Sequence, residues 1–195
     1  AHLTVLLRVD QGVGGKLQSY SLDCPLDAGG LPVYWFTNVR PAESVALLRE
    51  YAERPPSASR RIARAAVQAL AYHAGAEAEA ALAQYALSGA TQELKKDASF
   101  WLANARGSQG AEVVQKVLRE DPDERVREHA IFALTQSSAA GAIPAILQAT
   151  KQDKSAHVRS KGLFWLAQKA AQQAIGPIAE AIEREPETEV KKKAV

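Results

Sequence analysis

Four histidines (His2, His73, His129 and His157), the single cysteine Cys24 and the stretch Gly12-Val13-Gly14-Gly15 are the groups in this sequence with the most direct capacity for chemistry. A zinc site needs several thiolates or imidazoles at short, recurring spacings. The histidines lack such spacing and no second cysteine exists, so no metal is expected. Cys24 lies in the aperiodic loop DCPLDAGGLP, a place where function often sits, but no histidine is near in sequence to activate its thiol. Gly12 to Gly15 lacks the following helix and the spacing of a phosphate loop, and reads as a hairpin turn. No catalytic residue and no cofactor is assigned.

A second set of residues is spaced for recognition. Phe100, Phe132 and Phe164 recur every 32 residues, with Gln68 one interval earlier. Asn104, Gln136 and Gln168 follow four residues later in each case, with Tyr72 in the first interval, and Asp97, His129 and Lys161 precede by three. Rings supply apolar anchors, carboxamides both donate and accept hydrogen bonds, and charges set orientation. That chemistry binds a protein or peptide. Between these rows, Arg127 and Arg159 recur with Asp121 and Asp153, which predicts a structural ladder of charge between successive turns.

The elements that position these rows follow from the same interval. Ile62, Leu94, Val126, Val158 and Val190 are apolar anchors 32 residues apart without insertion or deletion, the mark of a stacked repeat. Ser59, Thr91, Asp123 and Ser155 lie three residues earlier and are predicted helix N-caps. Ala66, Ala98, Ala130 and Gly162, then Leu70, Leu102, Leu134 and Leu166, continue the apolar face of a first helix. Leu82, Val114, Ile146 and Ile178 anchor a second helix, with Pro144 and Pro177 expected near its start. On a helical wheel the core direction lies near 45° and the phenylalanine position about 165° from it, so those rings are expected to face solvent. Consecutive helices are close enough for the same rings to pack on one another, and Trp101 and Trp165, about 65° from the core direction, are predicted packing residues.

DPDERVREHAIFALTQ (Asp121 to Gln136) and the Val158-Arg159 copy resemble HEAT repeats of the short bacterial kind, related to the repeats of phycobilisome lyases. The basic residue after the anchor matches at Lys95, Arg127, Arg159 and Lys191 and departs at Ala63. The resemblance implies an α-α superhelix of helical hairpins and a partner surface that uses the positions two, three, six and ten beyond the anchor. It also offers an alternative activity, a bilin-lyase-type or chaperone-type lyase acting on a tetrapyrrole or protein. That likeness is to the repeat and to no catalytic residue. Deoxyhypusine hydroxylase, a HEAT protein, holds iron through repeated His-Glu pairs; here Glu128-His129 is reversed and occurs once. A HEAT-like glycosylase reading finds no basic groove pattern.

The expected organisation is a β-hairpin cap over residues 1–40 and a solenoid over 41–195. The solenoid divides into a half repeat 41–58, repeats 59–90, 91–122, 123–154 and 155–186, and a truncated fifth from 187. HLTVLLRVD alternates, KLQSYSLD follows the glycines, and LPVYWF is a candidate third strand. A cap of this kind is expected to cover the exposed end of the stack. Pro41-Ala-Glu-Ser opens a helix over Glu43 to Glu53.

With 24 basic and 22 acidic residues, the charge gives no default attraction to nucleic acid or an anionic membrane. A hydrophobic fraction of 47% suits a short solenoid, and no run is long enough to insert in a bilayer. The methionine-free start and the KKKAV end read as a piece of a longer protein. An exported or periplasmic bacterial location is the expectation, with the cytoplasm as the other option. The functional expectation is a non-enzymatic scaffold for protein or peptide binding.

Overall fold

The computed structural model describes residues 4–10, 13–20, 28–54, 56–169 and 171–194. Cys24, His2 and Gly12 lie outside the described residues. Two compact units divide the chain, 1–81 and 82–195.

In the first unit, β1 (Thr4–Asp10) and β2 (Val13–Tyr20) pair antiparallel, with Leu7 opposite Leu17 and a register shift after Arg8. That shift pairs Arg8 with Lys16 and Val9 with Gly14. Glycine suits such an irregularity because it tolerates the bulged backbone. Leu17 is buried, and β2 packs on α2 (Pro56–Tyr72). Before it, α1 (Pro41–Ala52) starts with proline at its first position, where the absent amide has no helical acceptor to lose, and buries Val45, Leu48, Tyr51 and Ala52. Along α2 the buried positions Ile62, Ala66, Val67, Ala69 and Leu70 follow helical spacing.

Two expectations fail in this unit. Among the described residues the sheet has two strands, and Leu31 to Phe36 is irregular. Gly29, Gly30 and Asn38 adopt positive φ around the segment and Pro32 has no amide to donate, so the run is bracketed by turns. Ser59 is not an N-cap either: α2 already begins at Pro56, three residues earlier. The proline at its first position starts the helix sooner than the repeat interval predicts.

α3 (Ala76–Ser88) runs across the division between the units. The second unit continues with α4 (Gln92–Ala105), α5 (Gly107–Glu120), α6 (Glu124–Thr135), α7 (Ala142–Gln152), α8 (Ala156–Lys169), α9 (Ala171–Arg184) and α10 (Thr188–Ala194). From α4 to α9 each helix packs on the next in sequence, and from α4 to α10 each also packs on the next but one. Thus α4, α6, α8 and α10 form one layer and α5, α7 and α9 the other. This is a helical solenoid. Its core takes the anchors Val126, Val158 and Val190 from the first layer and Val114 and Ile146 from the second.

Local chemistry sets where these helices begin. Thr91 Oγ1 accepts the Leu94 amide at 3.2 Å, and Asp123 Oδ1 accepts the Arg125 amide at 2.8 Å. Ser155 Oγ accepts more weakly from Val158, at 3.5 Å. Pro177 departs from expectation: α9 starts at Ala171, which puts the proline inside the helix, where one intrahelical hydrogen bond is missing. One residue, 170, separates α8 from α9 in sequence, whereas six, 136–141, separate α6 from α7. The second helix thereby gains turns upstream of its proline.

Candidate functional site

The first-layer helices α4, α6 and α8 lie side by side, so residues 32 apart in sequence become neighbours in space. Phe100 and Phe132 stack with ring centroids 5.9 Å apart and planes 14° from parallel. Trp165 of α8 continues the row, 5.0 Å from Phe132. Trp101 meets Phe100 edge-on at 5.2 Å, and Phe164 meets Trp165 in the same way at 5.2 Å. The result is one unbroken line of rings, Trp101, Phe100, Phe132, Trp165 and Phe164, across three helices. His129 adds a tilted contact to Phe132 at 5.6 Å.

Exposure along this line is graded. Phe100 and Phe132 are half-buried by their ring neighbours, whereas Phe164 is 44% exposed. The wheel placed all three toward water, and packing between adjacent helices covers two of them in part. Beside Phe132 the small Ala133 is fully buried, and where Trp101 and Trp165 stand the indole joins the row of rings instead. Asn104, Gln136 and Gln168 are exposed along one border. Asp97, His129 and Lys161 are half-buried along the other.

Charges tie the same helices together at their N-terminal ends. The Arg127 guanidinium donates to both carboxylate oxygens of Asp153 at 2.8 and 2.9 Å, and also to the Asp121 carbonyl at 2.9 Å. One unit later, Arg159 donates to both oxygens of Glu185 at 2.6 and 2.8 Å and to the Asp153 carbonyl at 2.9 Å. One unit earlier, Lys95 reaches Asp121 at 2.7 Å with a single ammonium contact. Each acid also accepts an amide two residues on: Asp121 from Asp123, Asp153 from Ser155 and Glu185 from Glu187. The acids therefore shape the turn and hold the base together.

The electrostatics follow from these contacts. Hydrogen bonding to Asp153 raises Arg127 above its ordinary value against the opposing effect of burial, and Glu185 does the same for Arg159. Hydrogen bonds from Arg159 hold the Glu185 carboxyl below the usual range. Burial pushes Glu128 upward, but hydrogen bonds and charge from His157 and Lys161 leave it lowered. His157 Nε2 lies 2.8 Å from Glu128, and Lys161 Nζ lies 3.4 Å from it, so this border of the ring row is a paired set of charges.

Glu185, Glu128 and His157 are partners that the sequence reading did not assign. Glu185 was findable, because one more step of 32 from Asp153 lands on it. The Glu128 contacts join different positions of the unit and leave no periodic trace. Among the described residues, no three His, Cys, Asp or Glu side chains gather as a metal site, and no helix is long and apolar enough to cross a membrane.

Residues 79–162, which run from within α3 through α7 to the middle of α8, match the family model for HEAT repeats. This stretch carries HEAT repeats. The matched region contains Phe100, Phe132 and the Arg127 to Asp153 pair, while Phe164, Trp165 and Glu185 lie beyond it. A search of the curated proteins found no match. HEAT repeats make a helical repeat scaffold of a kind suited to protein interaction.

Proposed function

We propose that the chain is a non-enzymatic scaffold whose first-layer face, built on α4, α6 and α8, binds a protein or peptide segment. Phe100, Phe132 and Phe164 are the apolar anchors, Asn104, Gln136 and Gln168 the hydrogen-bonding border, and Asp97, His129 and Lys161 the orienting border. The observation that carries this reading is the exposure of Phe164 at the end of a row whose other rings fix one another. Rings held by their neighbours lose little freedom when a ligand covers them, which lowers the entropic cost of binding. An apolar centre with a solvated polar border is also the usual anatomy of an interface.

The test is selection from a displayed peptide library against the immobilised chain, followed by titration of the selected peptides. Phe164→Ala and Gln136→Ala are each expected to weaken binding about tenfold or more, close to 1.4 kcal/mol. Selected peptides that bind both variants as tightly as the original would place the recognition surface elsewhere.

A further inference from the structure

Six of the ten large hydrophobic residues that the described part of the chain leaves exposed fall within nine positions: Leu31, Val33, Tyr34, Trp35, Phe36 and Val39. The aromatic three are the most open, at 79% for Tyr34, 59% for Trp35 and 83% for Phe36. The segment is irregular and belongs wholly to the first unit. Among the described residues, no backbone hydrogen bond is made by the amides of Val33 to Val39. An exposed apolar stretch whose amides have no backbone partner can gain from a partner strand through burial of its side chains and pairing of its backbone.

We propose that the 31–39 segment is a self-association surface that pairs with the same segment of a second copy of the chain. The area favours this occupant. Aromatic side chains present about 150–250 Å² each, so the three rings leave on the order of 450 Å² open, and the aliphatic neighbours bring the patch to roughly 600 Å². That is at the upper end for a monomer surface, about 300–600 Å². Two such patches covering each other would remove roughly 1,200 Å², the lower bound of a specific interface. Twofold pairing uses one patch twice and needs no second complementary surface. Charge does not oppose it: residues 31–39 carry none, and Arg40 at their border is already paired with Glu43. Val33, Tyr34, Trp35 and Phe36 are strong strand formers, so two extended copies can satisfy one another's amides once brought together.

The experiment is sedimentation velocity of the chain from about 1 to 100 μM, run beside the double variant Tyr34→Ser/Phe36→Ser. Far-ultraviolet circular dichroism would verify that both are equally helical. The expected result is a concentration-dependent dimer whose dissociation constant rises at least a hundredfold in the variant. A single-cysteine probe in a Cys24→Ser background, Val33→Cys, should form a cross-linked dimer with a short bis-maleimide. A chain that stays monomeric throughout, or a dimer unaffected by the double substitution, overturns the proposal. A monomer that instead co-sediments with phosphatidylcholine vesicles also overturns it and assigns the patch to a lipid surface.

Discussion

Arg127 and Asp153 form a two-pronged ion pair between residues 26 apart, with side chains only 2% and 5% exposed. Removing either partner leaves the other charge buried and uncompensated, which typically costs about 3–5 kcal/mol. Arg127→Ala and Asp153→Ala are each expected to lose that much in urea unfolding, and Arg127→Lys an intermediate amount because an ammonium cannot bridge both oxygens. A loss below about 1 kcal/mol for both alanine variants would mean that water satisfies the site.

The lowered Glu185 carboxyl sets an acid limit. A group depressed in the folded state stabilises above its unfolded value, near the ordinary 4.5, and that contribution disappears as pH falls through the folded value. Urea midpoints of the unaltered chain and Glu185→Gln should therefore differ most at neutral pH and converge below about pH 4.5. A gap that stays constant down to pH 3 would contradict the linkage.

Phe132 and Phe164 occupy equivalent positions but should respond differently. Phe132 touches Phe100, Trp165 and His129, so Phe132→Ala is expected to cost about 1–3 kcal/mol, less than the full core value because the ring is only half-buried. Phe164 touches one ring and is 44% exposed, and its alanine variant should stay within about 1 kcal/mol. Thermal unfolding of the pair decides it, and equal losses would contradict the graded packing.

Gly162 stands where Ala66, Ala98 and Ala130 stand in the other units, and the reason is steric. A Cβ there would lie 2.5 Å from Thr150 Cγ2. Thr150 cannot easily yield, because its hydroxyl donates to the Leu147 carbonyl at 2.7 Å and the residue is buried. Gly162→Ala is expected to destabilise by about 1–3 kcal/mol despite alanine's better helix propensity. Adding Thr150→Ser should recover most of the loss; no recovery would assign the strain to another contact.

The 32-residue interval made the helices legible, because each anchor must be apolar in every unit for the stack to close. It also exposed the ring row as a row. It did not reveal how far each ring is covered: the wheel treats one helix alone, whereas Phe100 and Phe132 are shielded by residues of adjacent helices. Local turn chemistry was equally hidden. Pro56 moves the start of α2 ahead of Ser59, and the short α8 to α9 junction carries Pro177 into a helix interior. The candidate third strand failed because alternation and β-propensity at Leu31 to Phe36 require a neighbouring strand, which the described residues do not provide.

Asp153 serves two arginines at once, offering its carboxylate to Arg127 and its main-chain oxygen to Arg159. Peeling away the hairpin on either side of that residue breaks the contacts of one guanidinium. From Asp121 to Glu185, then, the stack has no cheap point at which to fray, and these hairpins should melt together instead of one by one.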